Sequence, residues 1–179
     1  VVFLFFFLSG IFFYLILKKI INDRLFCSTT AILYLLYPYL FGQSLFSPKD
    51  VPFMSVWILC TYISFKVFDK ILKKNNISML TVFSLALSTA FLLSIRIAGI
   101  LIFIQYLVTF IIYINSSSYT LIYFLKKFLK EIITFTISLI FLTLLLYPPF
   151  WLNPLLIFNA ISHMANYFND VCTNTLGSC

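Results

Sequence analysis

Six long apolar runs, joined by short connections in which the lysines gather, leave this chain few ways to fold. The runs are Val1 to Leu17, Leu25 to Gly42, Val51 to Asp69, Met79 to Ile95, Ala98 to Ile114 and Ile132 to Pro148. A helix needs about 20 largely apolar residues to cross the hydrocarbon of a bilayer. These runs reach or approach that length, and the shorter ones are expected to stand upright or lean on interfacial anchors. Each is far longer than a strand, and none alternates as the wall of an outer-membrane barrel does. With 63% hydrophobic and 9% charged residues, the 179-residue chain holds more apolar surface than one soluble core of its size could cover. The expected fold is all-α, a polytopic transmembrane bundle of about six spanning helices over residues 1–148, with lipid as part of the solvent.

The formal charge of +7 raises the question of a nucleic-acid partner, and the placement of the charge argues against one. Lys18, Lys19 and Arg24 fall in the first connection, Lys66, Lys70, Lys73 and Lys74 flank the third, and Lys126, Lys127 and Lys130 lie in the fifth. These ten of the twelve basic residues occupy alternate connections, which the positive-inside rule assigns to the cytoplasm. Lys49, Arg96 and the tail from Phe150 onward then share the external face, in an inner (plasma) membrane. In the tail, Pro148, Pro149 and Pro154 break the helix. Over residues 155–170 an apolar stripe of Ile157, Ile161, Met164 and Phe168 opposes a polar one of Asn159, Ser162, His163, Asn166 and Asp170. Residues 149–179 are thus expected outside, with an amphipathic helix on the surface. Val1 stands inside an apolar run with no initiator Met or signal-peptide features, so a piece missing from each end is expected. By parity, the simplest missing N-terminal piece is one span with its external loop.

Three places could carry chemistry. FGQSLFSPKDVPFM, Phe41 to Met54, sets Gln43, Ser44, Ser47, Lys49 and Asp50 at a membrane interface, with Pro48 and Pro52 flanking Lys49 and Asp50. It can be an ordinary connection, with Asp50 capping the next helix and Lys49 snorkelling to headgroups, or a binding loop. Arg96 in SIRIAG would cost roughly 2.5 to 3.5 kcal/mol at mid-bilayer and less near the boundary where it is expected. There it is a headgroup anchor or, with Lys49, a ligand for a phosphate, since a guanidinium stays charged and binds oxygens bidentately. His163, the single histidine, is either surface or an acid–base group.

Other signals are bland. Cys27 and Cys60 read as small core residues, while Cys172 and Cys179 either pair in an oxidising compartment or stay free. The sequons at Asn76 and Asn115 fall in connections assigned to the cytoplasm. No P-loop, GxGxxG, HExxH or GxSxG motif occurs; no metal site assembles, and no cofactor is predicted.

The run YPYLFGQSLFSPKDVPFM resembles a motif of GT-C type membrane glycosyltransferases, the dolichyl-phosphate-mannose protein mannosyltransferase and family 39 group. Gln43 and Ser47 stand where that group usually has histidine and asparagine. SIRIAGIL, Ser94 to Leu101, is similar to a later helix of the family, and YPPFWLNPLLIFNAISHMANYFND, Tyr147 to Asp170, to its external segment. The resemblance implies a GT-C-like fold and sugar transfer from a polyprenyl-phosphate-linked donor to a glycan, lipid or protein acceptor on the external face. It implies donor phosphate or sugar binding by Lys49, Asp50 and Arg96, and acceptor or polar-face contacts by Gln43, Ser44, His163 and Asp170. The family's catalytic carboxylate lies in the first external loop, which is expected upstream of Val1. The alternatives are a transporter, since intramembrane charge and broken helices also mark transport paths, and a non-catalytic scaffold.

Overall fold

A computed structural model of the chain describes residues 1–72, 76–116, 126–146 and 151, and all its described secondary structure is helical. The expected amphipathic helix at 155–170, with His163 and Asp170, and Cys172 and Cys179 lie outside the described residues.

Helix α1 runs Val2–Ile20 and carries Lys18 and Lys19 in its last turn, where the negative end of the helix dipole favours them. Asp23 then opens α2 (Arg24–Leu36), its carboxylate accepting from the Leu25 amide at 2.8 Å and the Phe26 amide at 3.3 Å. The run expected to be one helix from Leu25 to Gly42 is broken instead: α2 stops at Leu36 and α3 (Pro38–Phe46) leaves at an angle of 53°. Pro38 causes this. It pushes Tyr37 out of the helical region, to an extended φ of -60° and ψ of 116°, and then starts the next helix where a missing N–H costs nothing.

Helix α4 (Asp50–Leu72) absorbs Pro52 in its first turn for the same reason. The connection between the apolar runs that end at Gly42 and begin at Val51 shrinks to residues 47–49, because α3 extends to Phe46. Helix α5 (Met79–Ile95) ends at Arg96, a 3-10 turn (Ile97–Leu101) follows, and α6 (Ile102–Ser116) continues from it. Helix α7 covers Leu129–Leu146.

By length and composition, three helices among the described residues are long and apolar enough to cross a membrane: Val2–Ile20, Asp50–Ile71 and Leu129–Leu146. The bent pair α2–α3 could make a fourth, and the helices at Met79–Ile95 and Ile97–Tyr113 are apolar but shorter. The surface supports a lipid environment. Phe7, Leu8, Ile104, Ile111, Ile137 and Phe141 are all exposed, far more outward apolar surface than a soluble fold tolerates. Hydroxyls that share this surface are satisfied within their own helices: Thr134 donates to the Lys130 carbonyl at 2.8 Å and Thr136 to that of Ile132 at 3.0 Å. The chain is a membrane-embedded helical protein.

Packing centres on α4, which touches α1, α3, α5 and α6, while α5 lies between α4 and α7. The buried residues of α5 include Ala86, Ser88, Thr89 and Ala90, small side chains that let both neighbours approach closely. Val56 and Cys60 of α4 pack with Leu92 and Ile102, and Ala86 and Ala90 pack with Leu142 of α7. On α1, Gly10 makes room for α2: a Cβ built there would lie 2.7 Å from a Leu35 methyl.

Two glycine substitutions should therefore have opposite signs. Gly10→Leu overpacks the α1–α2 contact and is expected to destabilise by about 1–3 kcal/mol. Gly42→Ala, where a Cβ would meet nothing within 4 Å, is expected to stabilise α3 by about 0.5–1 kcal/mol. Thermal unfolding of the detergent-solubilised protein, followed by circular dichroism, reads both.

Candidate functional site

Asp50 and Arg96 are 46 residues apart in sequence, and the fold brings them into an ion pair between Oδ1 and Nη1. Local backbone explains the meeting. Arg96 is extended (φ -149°, ψ 134°), which ends α5 and turns the chain into the 3-10 segment. Its amide still donates to the Leu92 carbonyl at 3.3 Å and its carbonyl accepts from Gly99 at 2.9 Å, so both backbone groups of Arg96 are satisfied at the break. Across from it, the Lys49 carbonyl accepts the Phe53 amide at 3.1 Å, making Lys49 the residue that closes the start of α4.

In the reading of the segment as an ordinary connection, Asp50 caps α4. It sits instead as the first helical residue, and its carboxylate is engaged sideways: Ser47 Oγ donates to Oδ2 at 3.1 Å, and Arg96 holds Oδ1. Its charge still lies at the favourable positive end of the helix. The Asp50 and Arg96 side chains are 61% and 47% exposed, so their pairing contributes only about 0–1 kcal/mol. A guanidinium carries five donors, and Asp50 engages Nη1. With Lys49 exposed beside them, the cluster has two cations to one carboxylate and suits an anion.

The other sequence candidates separate. Ser44 is fully buried and its hydroxyl donates to the Phe41 carbonyl at 2.6 Å, so it serves α3. Gln43 is half-buried in the last turn of α3, its carbonyl accepting the Ser47 amide at 2.8 Å. Among the described residues no group of three His, Cys, Asp or Glu could hold a metal.

Sequence reasoning missed a network inside the bundle. Trp57, two turns along α4 from Asp50, donates through Nε1 to Gln105 Oε1 at 2.6 Å. Gln105 Nε2 donates to Thr61 Oγ1 at 2.8 Å, and Thr61 donates to the Trp57 carbonyl at 2.9 Å. Nearby, the Thr89 and Tyr106 hydroxyls meet at 2.9 Å. The signal was present: an amide in the middle of the run Ala98 to Ile114 must find partners in hydrocarbon.

At the opposite end of α4, Asp69 pairs with Lys19 of α1 and accepts from the Tyr113 hydroxyl of α6 at 3.1 Å. Asp50 and Asp69 are 19 residues apart on one helix, about 28 Å at the α-helical rise. That distance matches the roughly 30 Å of a bilayer's hydrocarbon. The two ion-paired clusters therefore sit where α4 would leave the apolar layer on each side.

Replacing Gln105 by Leu removes the acceptor of Trp57 and the donor to Thr61. It is expected to destabilise the fold by about 0.6–1.7 kcal/mol, the range for hydrogen bonds between membrane helices. By contrast, a double-mutant cycle of Asp50→Asn with Arg96→Gln should show a coupling of at most about 1 kcal/mol. Denaturation in mixed micelles measures both.

Comparison with protein-family models, curated proteins and solved structures gives no match for this chain.

Proposed function

We propose that this chain is a GT-C type membrane glycosyltransferase of about six spans. It moves a sugar from a polyprenyl-phosphate-linked donor to an acceptor hydroxyl on the external face of a bacterial inner membrane. The observation that carries the reading is the convergence of Ser47, Asp50 and Arg96, with Lys49 alongside, at one end of α4. Those residues lie in SPKDVPF and SIRIAG, the two segments whose sequences resemble the glycosyltransferases.

In the reaction, the bond between the anomeric carbon and the phosphate oxygen breaks, and its electron pair leaves with the phosphate. The acceptor oxygen bonds to the anomeric carbon and gives up its proton to a base, which is expected on the family's first external loop. Arg96 and Lys49 stabilise the negative charge that grows on the departing phosphate. Asp50 holds the guanidinium in place through a contact weak enough for a phosphate to displace, and is then placed to orient the sugar or acceptor. The exposure of both side chains leaves them accessible to a donor headgroup at the membrane surface.

A transporter is the second reading, favoured by the Trp57–Gln105–Thr61 network within the bundle. That network is uncharged and hydrogen-bonded to itself, which suits helix–helix attachment better than an ion path.

The test is sugar transfer from a radiolabelled polyprenyl-phosphate-linked donor by the intact protein in native membranes. Arg96→Ala is expected to lower the rate about 10²–10³-fold with normal membrane insertion, and Arg96→Lys to retain part of it. Unchanged transfer in Arg96→Ala and Asp50→Ala would reject these roles, and no transfer by the wild type would favour a scaffold. Loss of solute uptake, with no transfer in the wild type, would favour the transporter.

A further inference from the structure

At the Asp69 end of the bundle, away from the cluster just described, a cavity of about 380 Å³ opens between α4, α5, α6 and α7. Its walls are apolar, with Phe68, Val82, Leu107, Phe110 and Phe135 among them, and Glu131 supplies a carboxylate. The volume is in the range of small-ligand sites. The cavity runs from Phe128 and Glu131, at the start of α7, to Phe103 and Tyr106 on α6, so its charged end lies near the membrane surface and its apolar end within the bundle.

Glu131 Oε2 is buried and has no hydrogen-bond partner among the described residues. A carboxylate oxygen left so is costly, and a donor from a ligand would remove the cost. Beside it Lys126, Lys127 and Lys130 are exposed, Lys127 lying over the Phe128 ring. Charges of both signs therefore lie close together in sequence at the start of α7, where Phe128 and Glu131 line the apolar cavity. The same lysines mark this end as the side the positive-inside rule assigns to the cytoplasm.

We infer that this cavity holds one chain of a phospholipid whose zwitterionic headgroup carries a primary ammonium, drawn from the cytoplasmic leaflet. The acyl chain fills the space lined by Leu107, Phe110 and Phe135, the ammonium donates to Glu131, and the phosphate meets the lysines. A choline headgroup has the same charge but no N–H, so it cannot satisfy the buried oxygen. A purely anionic headgroup matches the lysines and leaves Glu131 unanswered. The inference concerns a site separate from the one proposed for sugar transfer and does not depend on it.

The experiment is native mass spectrometry of the intact protein released from nanodiscs containing equal phosphatidylethanolamine, phosphatidylcholine and phosphatidylglycerol of identical acyl chains. Retention of one phosphatidylethanolamine per protein is expected, with about tenfold lower retention in Glu131→Gln and an unchanged thermal midpoint. Leu107→Trp, which narrows the cavity, should lower lipid retention without altering the headgroup preference of what remains. Equal retention of the three lipids, or phosphatidylethanolamine retention unaffected by Glu131→Gln, would overturn the assignment. Should Leu107→Trp fail to fold, the Glu131→Gln comparison decides alone.

Discussion

A polar group that enters hydrocarbon without a partner costs several kilocalories per mole, and most of the described polar side chains meet that demand inside the chain, Glu131 Oε2 and Thr143 Oγ1 being the exceptions. Helices satisfy the backbone. Serine and threonine hydroxyls fold back onto carbonyls of the preceding turn, as Ser55 does onto Val51 at 2.7 Å and Thr109 onto Gln105 at 2.8 Å. Gln105, whose amide has more donors and acceptors than its own helix can meet, crosses to Trp57 and Thr61. The two ion pairs, Asp50 with Arg96 and Asp69 with Lys19, sit at the two ends of α4, about one hydrocarbon thickness apart.

Helix packing obeys a second constraint. Lipid tails are as apolar as leucine, so burial alone gives helices little reason to associate, and close contact has to supply the attraction. This explains the small residues facing both neighbours of α5 and the glycine of α1 against Leu35. It also explains why α4 is the hub: it carries Val56, Cys60 and Ser64, all deeply buried, together with the polar and charged groups that tie α1, α5 and α6 to it. Asp50 reaches Arg96 at the end of α5, Trp57 reaches α6, and Asp69 reaches both α1 and α6.

Much of this was legible in the residues. The six apolar runs each lie largely on described helices, and the polar segment before Asp50 does begin a helix there. Other features were not. The break at Tyr37 was readable from Pro38 and its effect on the preceding residue, but the apolar run on either side of it masked the signal. The connection between the runs ending at Gly42 and beginning at Val51 is shorter than those runs imply, because α3, once restarted by Pro38, continues through Gln43 and Ser44. Ser44, singled out as polar, is inward and satisfied locally, since a hydroxyl three residues after a carbonyl on a helix needs no other partner.

The sequence by itself determined that the chain is helical and membrane-embedded, because run length, hydropathy and the spacing of basic residues are additive local properties that no packing arrangement can undo. It also supplied the candidates Lys49, Asp50 and Arg96 one by one. What only the tertiary structure decided is who meets whom. That Asp50 turns sideways to Arg96 and Ser47, that Asp69 gathers Lys19 and Tyr113, and that Glu131 faces an apolar cavity all depend on helix rotation and register. Those are set by steric fit among small and aromatic side chains distant in sequence, a sum of weak contacts that leaves no local pattern to read.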